Sequence, residues 1–118
     1  MIIGETHGDW APLAQLNFQQ FAREGYHTLF IEMFPRFLQQ ELDLFDAKSK
    51  KTLLRFLKTY WNYGYDGEQS HPYLDLVVQA KHAGFHVIAL DTFRTHVNWK
   101  YVFERLFIVH HQWMKMIQ

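Results

Sequence analysis

A chain of 118 residues, 48% apolar and 18% aromatic, suits one domain with a real core and argues against disorder. Lys and Arg number 12 against 12 Asp and Glu, with no Lys/Arg cluster of the kind that would neutralise a row of phosphates, so charge gives no reason to invoke nucleic acid or an anionic membrane surface. The absence of cysteine excludes disulfides, thiolate catalysis and cysteine-ligated zinc, and fits a reducing compartment. No apolar run approaches the roughly 20 residues of a membrane-spanning helix, and no signal peptide opens the chain. It therefore reads as soluble, unexported and, as written, cytoplasmic.

The first element is a strand already under way at Met1, with Ile2 and Ile3 leading into Gly4-Glu5-Thr6-His7. Asp9 can cap a helix from about Trp10 to Glu24, with Pro12 in its first turn, Ala14, Phe18, Phe21 and Ala22 on one face, and Gly25 at its end. His27 to Met33 is a short apolar run typical of a strand covered on both faces, and it leaves Glu32 at its exit. Pro35 opens a second helical piece through Leu38, Leu42 and Phe45. After a solvated corner at Lys48-Ser49-Lys50-Lys51, a helix capped by Ser49 carries Leu53, Leu54, Leu57, Tyr60 and Trp61 on one face.

Asn62 to Ser70 has loop composition; Ser70 and Pro72 then open a helix through Leu74, Val77, Val78 and Lys81, which Gly84 closes. His86 to Asp91 is the third buried-strand candidate, again with an acid at its exit. From about Val97, the spacing of Val102, Leu106, Val109, Trp113 and Met116 predicts a final amphipathic helix. This alternation predicts an α/β domain with a small parallel sheet of about three strands and helical crossovers. So small a sheet leaves edges that need cover, which predicts self-association into a homo-oligomer or marginal stability.

In a parallel sheet the ligand crevice lies beyond the carboxyl ends of the strands, which singles out Glu5, His7 and Glu32. Residues two apart in extended backbone project to one side, so Glu5 and His7 can face one crevice, with Glu32 delivered from the neighbouring strand. The triplet suits two roles. One imidazole nitrogen and two carboxylates can hold a divalent metal with open positions, making a hydrolytic nucleophile of its water. Without metal, His7 can act as general base on water, oriented by Glu5 or Glu32. Asp91 and Arg94 are the substrate-binding candidates, Arg94 as the group that neutralises an oxyanion or a substrate carboxylate.

Each residue also has a structural reading. Glu5 and His7 can cap the following helix, Glu32 can stabilise a helix start, Asp91 can cap its loop, and Arg94 can pair with an acid at the surface. His110 and His111 are neighbours in the expected helix, diverge by about 100°, and so do not suit one metal ion. Tyr60, Trp61, Tyr63 and Tyr65 either belong to the core or line a pocket able to accept a haem face.

Taken together, Gly4-Glu5-Thr6-His7, Ile31-Glu32-Met33-Phe34, the Trp61 region, Pro72-Tyr73, Gln79-Ala80-Lys81 and Val87-Ile88-Ala89-Leu90-Asp91 resemble the amino-terminal half of the erythromycin-esterase/ChaN-like/TIKI superfamily, over roughly Ile2 to Arg94. The resemblance implies an incomplete version of a larger α/β domain over residues 1–118. It also implies a hydrolase-like activity on an ester, lactone or amide, with Glu5, His7 and Glu32 at the site and a divalent metal as candidate cofactor. The alternative implied by the ChaN-like branch is a non-catalytic haem-binding protein of iron uptake. Family enzymes use a further histidine motif after a later strand, which nothing here matches, so a fragment, an inactive remnant or a subunit completed by another chain is also implied. In either functional reading the partner is a small molecule.

Overall fold

Continuous apolar runs form the two strands that pair in parallel: β2, Tyr26–Ile31, and β3, His86–Ala89, are in register from Thr28 opposite His86 to Ile31 opposite Ala89. The computed structural model describes residues 2–4, 10–62, 65–67, 69–90 and 105–110. β1 is Ile2–Gly4 and β4 is Arg105–His110. The four strands make one sheet in the order β1-β4-β2-β3.

The domain is α/β, with a parallel β2–β3 pair, but the sheet differs from the expected one in its fourth strand. β4 lies between β1 and β2 and is antiparallel to both. The helix expected through Leu106 and Val109 is therefore corrected to a strand at residues 105–110. Leu106-Phe107-Ile108-Val109 is an unbroken apolar run that satisfies helical and buried-strand patterns alike. Ladders on both sides of β4 satisfy its backbone groups and decide for the strand. His110 ends that strand; His111 lies outside the described residues.

The single helix expected from Trp10 to Glu24 is two: α1, Ala11–Ala14, and α2, Phe18–Arg23. Asn17 divides them, because its extended backbone lets its side-chain oxygen accept the Gln20 N–H at 3.0 Å and start a new helix. The expected cap Asp9 lies outside the described residues. Gly25, at φ 98°, follows α2 in the left-handed conformation that ends a helix, as its position predicts.

A 3-10 turn at Arg36–Leu38 leads into α3, Gln39–Leu44, and α4 follows at Ala47–Tyr60. Asp46 caps α4 by accepting the Ser49 N–H at 2.8 Å, so Ser49 is the capped residue and the lysine run is the exposed first turn of the helix. α5, Pro72–His82, starts from His71 and ends before Gly84. Leu42, Leu53, Leu57 and Val77 from α3, α4 and α5 are fully buried together with Leu29 and Ile31 of β2. Among the described residues no helix is long and apolar enough to cross a membrane.

The outer edge of β3 is occupied by a side chain. Gln39 Oε1 accepts the Ala89 N–H at 2.8 Å and Gln39 Nε2 donates to the Val87 carbonyl at 2.9 Å, much as another strand would. Val87 and Ala89 are buried, so these backbone groups have little water to turn to.

Candidate functional site

The sheet register sets one row of backbone positions across all four strands. Ile3 is opposite Leu106, Leu106 is also opposite Ile31, and Ile31 is opposite Ala89. One step beyond that row stand Gly4 at the end of β1, Arg105 opposite it at the start of β4, Glu32 after β2 and Leu90 after β3. The Leu90 N–H still bonds the Ile31 carbonyl at 3.0 Å, which holds the exit of β3 to that of β2. β1, β2 and β3 thus end together along one edge of the sheet.

Of the five site residues expected from sequence, Glu32 is described. It follows β2 directly and is 4% exposed, in a segment with Met33 and Phe34, both fully buried. A carboxylate so enclosed belongs with a counter-charge or with hydrogen-bond donors. Glu5, His7, Asp91 and Arg94 lie outside the described residues. Their strands are placed: Gly4 precedes Glu5, and Leu90 precedes Asp91. Glu32 does not come from a strand adjacent to that of Glu5. β4 intervenes, so the two exits are two strand spacings apart, roughly 10 Å rather than about 5 Å. Among the described residues no three His, Asp or Glu side chains cluster as a metal site.

Arg105 was missed by sequence reasoning, which looked to Arg94 for a cation and placed residue 105 within a helix. The topology puts Arg105 at a register position between the exits of β1 and β2. The apolar, partly β-branched run after it was the available signal.

His71 stands at the start of α5. It is fully buried, accepts the Tyr73 N–H on Nδ1 at 3.2 Å, and meets the Trp61 carbonyl with Nε2 at 2.8 Å. Since Nδ1 accepts, the proton sits on Nε2, which donates to Trp61. The ring centroids of Trp10 and Tyr73 stand 5.4 Å from that of His71, and the ring of Tyr65 5.5 Å. Burial pushes the His71 pKa down; the Trp61 carbonyl acts against this and the Lys58 charge adds to it. The imidazole is thereby a structural pin joining the end of α4 to the start of α5.

Part of the aromatic cluster, Tyr65 and Trp61, packs around that pin, whereas Tyr60 is 55% exposed. Tyr65 packs against Trp10 and His71, Trp61 against Tyr73, and Tyr60 against Phe56; Tyr63 lies outside the described residues. Comparisons with protein-family models, with curated proteins and with solved structures find no match.

Proposed function

We infer that this chain is a hydrolase-like domain acting on an ester, lactone or amide at the carboxyl edge of its sheet, of the erythromycin-esterase/ChaN-like type. The observation that supports this reading is the common row of strand ends, which sets the position before Glu5, Glu32 itself and the position before Asp91 along one edge. In α/β sheets that edge is where ligands bind.

In the reaction, a water oxygen attacks the substrate carbonyl carbon. His7 takes the proton from that water and returns it to the departing oxygen or nitrogen, with Glu5 or Glu32 orienting its ring. Arg105 or Arg94 supplies positive charge to the carbonyl oxygen as it becomes an oxyanion. Glu5, His7 and Glu32 are the residues that would hold a divalent cation, which would supply a more acidic water. The separation of β1 from β2 by one strand requires the site to span two strand spacings.

The test is hydrolysis of p-nitrophenyl acetate by metal-stripped protein, with and without zinc, manganese or magnesium, alongside thermal unfolding. Turnover should fall by about 100-fold or more in His7→Ala and in Glu32→Gln, with the folded state retained. Unchanged turnover in His7→Ala would remove the reading. A metal-dependent rise in melting midpoint that is lost in Glu5→Gln would select the metal route over the metal-free one.

A further inference from the structure

A cavity of about 520 Å³ lies between the α1–α2 segment and α5, and no residue of the strand-end row lines it. Trp10, Leu13, Leu16 and Phe18 line it on one side and Leu76 on the other. Its volume is that of a small-molecule pocket, and such pockets combine an apolar lining with a few placed polar groups. Here the polar groups are Asp75 and Gln79, four residues apart and so on one face of α5.

Asp75 gives the cavity its chemical preference. Among the described residues it has no cationic partner. Its pKa is raised, with partial burial as the cause, so its carboxylate sits in a place that costs the charged form some solvation without returning a counter-charge. A ligand cation would return it.

We propose that the α1–α5 cavity binds a small amphipathic amine, its apolar body among Trp10, Leu13, Phe18 and Leu76 and its ammonium at the Asp75 carboxylate, with Gln79 accepting a second N–H. This site is independent of the hydrolytic reading, since none of its residues belongs to the strand-end row. The carboxylate form is the binding form, so amine affinity falls as pH drops through the Asp75 pKa.

Calorimetric titration of the full chain at neutral pH with 4-phenylbutylamine, 4-phenylbutanol and 4-phenylbutyrate tests the assignment. The amine should bind at least about 10-fold more tightly than the alcohol, and the carboxylate most weakly, as expected for one charge-assisted contact. Asp75→Asn should remove the advantage of the amine while leaving alcohol binding in place. Ala14→Trp, which fills the lining, should weaken amine and alcohol together. Absence of binding by all three, equal affinities, or an amine preference that survives in Asp75→Asn would overturn the proposal. Asp75 keeps part of its surface in solvent, and its substitution leaves the buried residues of α5 in place, so the decisive variant retains the fold.

Discussion

Replacing Gln39 by Leu should show how much the domain depends on a side chain acting as a strand. Leucine has a similar volume but no polar atoms, so it removes both partners of the β3 edge: the acceptor for Ala89 N–H and the donor for Val87 C=O. Ala89 and Val87 are 2% and 1% exposed, so neither backbone group gains water when the glutamine amide goes. A buried unsatisfied group costs about 1–3 kcal/mol, which sets the expected loss at about 3 kcal/mol. Against a total of about 5–15 kcal/mol for a small domain this is a large fraction. For a domain of this size it corresponds to a fall in melting midpoint of roughly 10–15 °C. Urea unfolding should show a lower midpoint with an unchanged slope, because the compactness of the two end states stays the same. The uncovered edge should also promote concentration-dependent self-association, readable by sedimentation velocity. Gln39→Glu is the sharper companion. At neutral pH its carboxylate still accepts from Ala89 but faces the Val87 carbonyl without a proton to donate, and acidification should recover part of the loss. A Gln39→Leu melting midpoint within about 2 °C of the parent would refute the reasoning, since that is the scale of an ordinary surface change.

Acid should act through His71. Its folded-state pKa lies below the ordinary value, so the unfolded chain binds the proton more readily. The stability this contributes is present above the unfolded pKa of about 6.5 and declines as pH falls below it. His71→Asn should flatten that part of the pH dependence while lowering stability at neutral pH by about 1–3 kcal/mol, because asparagine can still cap α5 but does not span to the Trp61 carbonyl. An unaltered pH profile in the variant would show that other groups govern it. For β4, carbon chemical shifts at residues 105–110 should have the strand sign, and the internal amides should be protected from exchange. Helical shifts there would reverse the assignment.

Much of the α/β pattern was legible because strand and helix periods differ. The parallel strands at Leu29–Ile31 and Val87–Ala89, the glycines after α2 and α5, and the apolar face of α4 all follow from local pattern. Asn17 and Asp46 are local signals too, outweighed in a reading that favoured longer helices and a serine cap. The cap depends on which side chain reaches an orphan N–H, and pattern alone does not rank such competitors. The candidate site was legible as a set of strand exits, of which Glu32 is the described member. Its spacing was not, because the distance between exits depends on strand order.

Sequence by itself determined that this is a cysteine-free, charge-balanced α/β chain with acids at its strand exits, since composition and periodicity report burial directly. Only tertiary structure decided that Arg105–His110 is a strand and that it separates β1 from β2. Leu106 and Val109 fit a helical face as well as a buried strand, and a strand gains its hydrogen bonds only from neighbours distant in sequence. Pairing with Ile2–Gly4 on one side and with β2 on the other supplies those bonds, and with them the order of the sheet.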